Sequence, residues 1–146
     1  MARRGISPDR IVFAPFIKMP EHLARLRLAD LVLDTLPHNA HTTASDALWA
    51  GVPVLTCLGT TFAGRVAASL LRAIGLAELL TNSLQEYEAL ALRLAREPAA
   101  LAALKEKLAR NRNAFPLFDT ERYTRDIEAA YVGMWERYQQ SQPRGR

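Results

Sequence analysis

The chain has 146 residues, 49% of them hydrophobic and 23% charged, with a formal net charge of +4. This balance describes one globular domain with a real core, and it excludes a disordered polymer or a disulfide scaffold, since Cys57 is the only cysteine. The positive excess sits in the terminal Arg3, Arg4, Arg144 and Arg146, while the internal cations alternate with acids as on solvated helix faces, so nucleic acid is not an expected partner.

In chain order, Arg10-Ile-Val-Phe-Ala14 is the first predicted strand, followed by a helix over Glu21 to Ala29 and a strand over Asp30 to Asp34. A helix over Thr42 to Gly51 and the apolar strand Pro53-Val-Leu-Thr-Cys57 come next. Such alternation predicts a parallel sheet with crossover helices. A helix from about Thr61 to Ile74 is stopped by Gly75, a short strand lies near Glu78 to Leu80, Ser83 caps a further helix, and Pro98 opens another. Residues 86–112, rich in Ala, Leu, Arg and Glu, read as amphipathic scaffold. After a break at Phe115-Pro-Leu-Phe118, Asp119 or Thr120 starts a last helix with Tyr123, Ile127, Tyr131, Met134, Trp135 and Tyr138 on a docking face. The expected organisation is an α/β domain over 1–115, a C-terminal helix over 116–138 packing back, and a frayed tail over 139–146. No signal-like N-terminus and no apolar run near the ~20 residues that cross a bilayer are present, so the expected location is cytoplasmic, without membrane contact. No Cys/His cluster offers a metal site.

The stretch from Asp34 to Asp46, Asp-Thr-Leu-Pro-His-Asn-Ala-His-Thr-Thr-Ala-Ser-Asp, has the form of a strand end, a turn and a helix start. The first turn of a helix leaves amide groups without intrahelical partners and carries partial positive charge, so it suits an anion, and Thr42 and Thr43 add hydroxyl donors. The plainer alternative makes Thr42 or Thr43 an N-cap with Asp46 as its capping-box acid. In open α/β sheets ligands bind beyond the carboxyl ends of the strands. That rule brings His22, Arg25, His41, Thr42, Thr43, Asp46 and the Gly59 loop toward one crevice. On local pattern alone His22 reads first as a helix cap or a partly buried core histidine, Arg65 could hold phosphate or an ordinary ion pair, and Trp49 reads as core.

Glu21-His22-Leu-Ala-Arg25, Leu33-Asp34-Thr35, Asn39-Ala-His41-Thr42-Thr43 with Asp46, and Leu48-Trp-Ala-Gly-Val-Pro53-Val54 resemble the O-linked N-acetylglucosamine transferases and the related SPINDLY-like proteins. Ala63-Gly-Arg65-Val-Ala-Ala-Ser69, Gln85-Glu-Tyr87, Pro116-Leu-Phe-Asp-Thr120 and Met134-Trp-Glu136 continue the likeness in the same order. The resemblance implies the C-terminal half of a GT-B fold: a Rossmann-like parallel sheet with helices on both faces, ending in a helical segment. It further implies that His41, Thr42 and Thr43 lie against the diphosphate of a nucleotide sugar and that Asp46 engages the ribose hydroxyls. His22 and Arg25 would lie by the base, without any metal or cofactor. The implied donor is UDP-N-acetylglucosamine, with GDP-fucose the alternative, and the implied acceptor is a Ser or Thr hydroxyl of a protein. Two departures stand out. Met19 occupies the place of a family lysine, leaving Lys18 as a possible substitute contact, and Gly59-Thr-Thr61 replaces a Gly-Glu-Thr. In the family the N-terminal catalytic domain, a diphosphate-neutralising lysine and the tetratricopeptide repeats that bind acceptors lie upstream, and the first strand of this half-domain is expected to be missing here. The expectation is therefore an incomplete transferase that needs an upstream catalytic domain, in the same polypeptide or a partner chain. The alternatives are a non-catalytic nucleotide- or protein-binding module and a structural remnant whose sheet edge another chain covers.

Overall fold

The computed structural model describes residues 5–141. Its regular elements are α1 (Met19–Leu26), β1 (Val32–Leu33), α2 (Thr42–Ala50), β2 (Val54–Cys57), α3 (Val66–Ala73), β3 (Leu80–Thr81), α4 (Leu84–Arg96), α5 (Pro98–Asn111) and α6 (Thr120–Ser141). The strands form a parallel sheet in the order β1-β2-β3, with Val32 opposite Val54 and Thr56 opposite Leu80. All four residues of β2 are buried. Because successive strand residues point to opposite faces, that pattern requires both faces of the sheet to be covered, as a parallel sheet with crossover helices demands. Ala44, Ala47 and Leu48 of α2, Ala67 and Leu71 of α3, Leu94 of α4 and Leu108 of α5 join Val54, Ile74, Leu76 and Leu79 in one buried cluster. No helix among the described residues is long and apolar enough to cross a membrane.

Local chemistry sets most of the element ends. Gly51 takes a left-handed φ of 89° just past α2, and the amide of Val52 reaches the Ala47 carbonyl at 2.8 Å, which turns the chain directly into β2. Gly75 repeats the device after α3 with φ 74°, and a Cβ there would collide with the Phe115 ring and the Asn111 amide. Ser83 accepts the Glu86 amide at 3.2 Å while the Glu86 carboxylate accepts the Asn82 amide at 2.9 Å, a reciprocal cap on α4.

Several expectations are corrected. Arg10 to Ala14 is not a strand: Pro8–Arg10 is a 3-10 turn, and the following residues run without a ladder, with Val12, Phe13 and Phe16 exposed at 87%, 91% and 101%. An apolar run makes a strand only where another strand supplies its hydrogen bonds, and none does among the described residues. Helix α1 begins at Met19 and ends at Leu26, short of Ala29. Helix α3 begins at Val66 rather than Thr61, because Gly59 N–H donates to the Gly64 carbonyl at 2.6 Å and folds residues 60–64 into a loop. The strand expected at Glu78 to Leu80 is a 3-10 turn over Ala77–Leu79 followed by β3. Trp49 is 47% exposed, edge-on to Phe118 and under the Arg112 guanidinium, instead of lying in the core. The tail expected from residue 139 is helical through Ser141; residues 142–146 lie outside the described ones, as do Arg3 and Arg4. On α6 the face bearing Tyr123, Tyr131, Met134, Trp135 and Tyr138 is exposed.

Candidate functional site

The site is built where β1 ends. Asp34 extends the ladder by one bond, its amide donating to the Leu55 carbonyl at 3.0 Å. Its carboxylate then organises the turn that follows. One oxygen accepts the amides of Thr35 at 2.8 Å and Ala40 at 2.7 Å, and the other accepts the Thr56 hydroxyl of the central strand at 2.6 Å. The turn between is cross-braced. Thr35 Oγ1 donates to the His38 carbonyl at 3.0 Å, and the buried Asn39 donates through Nδ2 to the Thr35 carbonyl at 2.9 Å.

A second loop supports the first. The Asn39 amide donates to the Ala63 carbonyl at 3.0 Å, and His41 Nε2 lies 3.2 Å from the same oxygen. Close approach makes Gly59 and Gly64 necessary, since a Cβ on Gly64 would stand 3.0 Å from both the Gly59 Cα and the Pro37 carbonyl oxygen. The His41 ring is stacked on His38, with centroids 4.8 Å apart and planes 19° from parallel, and meets the exposed Phe62 edge-on.

His41 itself is the N-cap of α2 and makes no side-chain cap bond, so the plain capping-box arrangement is absent. Its carbonyl accepts the amides of Ala44 and Ser45, both at 3.1 Å. Thr42 and Thr43 are exposed, and neither their amides nor their hydroxyls have partners among the described residues. Free donors on a helix N-terminus, with the helix dipole behind them, form an anion-binding surface.

Beside this surface opens a cleft of about 710 Å³ lined by Ala14 to Met19, His22, Arg25 and Asp46. Asp46 enters it from α2, one helical turn beyond Thr42 and Thr43. From α1, His22 Nδ1 lies 3.2 Å from the Arg25 guanidinium, which also donates to the Pro15 carbonyl at 2.8 Å and so fixes the cleft wall. Lys18, the N-cap of α1, lies on the same wall. Arg65 sits apart, exposed at the start of α3 with a guanidinium nitrogen 3.5 Å from the Gly59 carbonyl, and does not line the cleft. Another depression, about 580 Å³, lies between Leu31, Leu33, Leu94 and Leu101, but its Asp30 and Lys105 already pair at 2.8 Å.

Asp34, Asn39 and Tyr87 carry no role legible in the local sequence pattern. Tyr87 reaches from α4 to donate its hydroxyl to the Asp34 carbonyl at 2.8 Å. Burial, then the nearby Asp34 carboxylate and Cys57, raise its pKa above the ordinary 10.0. The folded state therefore holds this proton more tightly than the unfolded chain does. Stability from this group is complete below about pH 10 and is lost as pH climbs toward the raised value. Tyr87→Phe is expected to flatten the alkaline fall in stability, measured by urea unfolding from neutral pH upward; an unchanged slope would dissociate Tyr87 from it.

The parallel sheet with helices on both faces, closed by a helical C-terminal segment, is a Rossmann-like unit of the kind that forms the C-terminal half of a GT-B fold. The family model of glycosyl transferase family 41 matches residues 1–127, and the chain belongs to that family. It is 44% identical over 135 residues to the probable UDP-N-acetylglucosamine–peptide N-acetylglucosaminyltransferase SEC of Arabidopsis thaliana, a match covering 92% of this chain and 14% of that protein. A UDP-N-acetylglucosamine–peptide N-acetylglucosaminyltransferase of Caenorhabditis elegans is 41% identical over 140 residues, 96% of this chain and 12% of that one. The solved structure of a Thermobaculum terrenum O-GlcNAc transferase mutant, K341M, superposes with a TM-score of 0.83 at 39% identity, covering 92% of this chain and 26% of that one. The chain thus spans about an eighth of the length of these curated relatives.

Proposed function

We propose that this chain forms the nucleotide-sugar-binding part of a protein O-glycosyltransferase, with UDP-N-acetylglucosamine as donor. The observation that carries the reading is the pair of threonines at the start of α2, without partners among the described residues, flanked by His41 and adjoining the cleft that holds His22, Arg25 and Asp46. In this reading Thr42, Thr43 and their amides, with His41, receive the diphosphate. Asp46 accepts the ribose hydroxyls, His22 and Arg25 flank the base, and Lys18 supplies a cation near Met19, while Arg65, outside the cleft, is given no contact. The relatives named above, whose printed names specify UDP-N-acetylglucosamine and a peptide, support this choice of donor and acceptor.

Transfer would form a bond between a Ser or Thr oxygen and the anomeric carbon as the bond from that carbon to the diphosphate oxygen breaks. Fixed donors aimed at the departing diphosphate stabilise the charge that develops there, without reorganisation at the moment of reaction. No residue of this chain is assigned as the base that takes the acceptor proton. We place that group in the facing domain of the GT-B cleft, so that this chain binds donor and completes no transfer alone.

Thermal unfolding with UDP, GDP, UDP-N-acetylglucosamine and GDP-fucose added separately tests the reading. A ligand bound only by the folded state, at a hundred times its Kd, stabilises by about 2.7 kcal/mol. The two uridine compounds are expected to raise Tm. A rise with the guanosine compounds alone would reassign the donor to GDP-fucose, and no rise with any of the four would refute a nucleotide site.

A further inference from the structure

We infer that Asp34 is a positioning residue for the anion surface, acting through the backbone that it pins and not by touching the ligand. The inference rests on the nucleotide-diphosphate reading above. An ionised carboxylate is purely an acceptor with about four lone-pair sites, so it can hold several donors at fixed directions at once. Asp34 uses that capacity in full view. One oxygen is fixed to the central strand by Thr56 Oγ1 at 2.6 Å, and Thr56 is itself tied to β3, its carbonyl accepting the Thr81 hydroxyl at 3.0 Å. The other oxygen gathers the amides of Thr35 and Ala40, from the two ends of the turn. Tyr87 clamps the Asp34 carbonyl from α4.

The consequence is a rigid path from the sheet to the ligand surface. Ala40 directly precedes His41, the N-cap, and the next two residues carry the free donors. A diphosphate gains from those donors only if they point at its oxygens before it arrives, because ordering them on binding costs free energy. The Ala40 bond at 2.7 Å fixes where α2 begins. Hydrogen bonds to charged groups are about twice as strong as neutral ones, which suits this one to the task.

The test separates positioning from both charge and general structure. Asp34→Ala removes the acceptor; Asp34→Asn removes the negative charge but keeps an oxygen for the two amides. UDP and uridine are titrated into the 146-residue wild-type chain and each variant, and affinities are read from amide shifts. Asp34→Ala is expected to weaken UDP about tenfold, the low end of the loss for one hydrogen bond to a charged group, with uridine unchanged. Asp34→Asn, whose neutral oxygen still accepts the two amides more weakly, should weaken UDP less than Asp34→Ala does, with uridine unchanged. If Asp34→Ala fails to fold, Thr56→Val serves in its place, freeing one carboxylate oxygen and weakening UDP about threefold with uridine unchanged. Undiminished UDP affinity in the folded variant, equal weakening of UDP and uridine, or an Asp34→Asn protein as weak as Asp34→Ala would each overturn the positioning role. A wild-type chain that binds no UDP would refute the nucleotide reading, and this inference with it.

Discussion

Replacing His41, Thr42 and Thr43 together by alanine is expected to weaken UDP binding about a hundredfold while leaving the chain folded. Hydrogen bonds to a charged group contribute about 1.5–3 kcal/mol each. At exposed or half-exposed positions each bond replaces one to water, so the three side chains are taken at about 1 kcal/mol net apiece, a loss near 3 kcal/mol, and 1.4 kcal/mol is a factor of ten. Stability should change little. The threonines are exposed and make no side-chain bond among the described residues, and alanine favours helix over threonine by a few tenths of a kcal/mol. His41 gives up its stacking on His38 and its contact with the Ala63 carbonyl, worth at most about 1 kcal/mol at a half-exposed position. Isothermal titration with UDP and urea unfolding of the same protein check both halves. A variant that unfolds would show that these residues act mainly as a helix start.

The largest stability loss is expected from Leu48→Ala. Leu48 is fully buried on α2, in the cluster that also holds Val54, Leu71 and Ile74. Truncating such a leucine removes transfer free energy and leaves a cavity, a combined cost of about 2–5 kcal/mol. For a domain of this size each kcal/mol moves Tm by about 2–4 °C, so a fall of roughly 6–12 °C is expected for a mid-range 3 kcal/mol. The same helix carries the free donors at its N-terminus, which couples core to site. Saturating UDP should therefore recover part of the lost Tm, since the surviving folded state still presents Thr42 and Thr43. A Tm within 2 °C of wild type, judged on the same scale, would show that the core around α2 can collapse onto the gap.

Where short-range chemistry decides, the sequence was readable. The mostly apolar run Val54-Leu-Thr-Cys57 became the buried central strand, Gly51 and Gly75 ended their helices, and Ser83 capped α4. Thr42 at the start of α2 was legible for the same reason. Other features depend on what the chain folds against. Arg10 to Ala14 has a strand's composition, yet no strand among the described residues hydrogen-bonds it, and composition cannot supply one. The late start of α3 follows from Gly59 and Gly64 meeting each other and the Pro37 carbonyl, contacts that no local pattern encodes. Asp34 reads as an ordinary strand-end acid until Thr56 and Tyr87, 22 and 53 positions away, converge on it. Its role was hidden because all its partners but Thr35 and Ala40 are distant in sequence.

The most direct test is a heteronuclear NMR titration of the chain with UDP. Binding at the start of α2 predicts saturable shifts of the Thr42, Thr43 and Ala44 amides together with the ring resonances of His22 and His41, all following one binding curve. Shifts confined to the Leu31–Leu101 depression, or an unperturbed α2 N-terminus at saturating UDP, would contradict it.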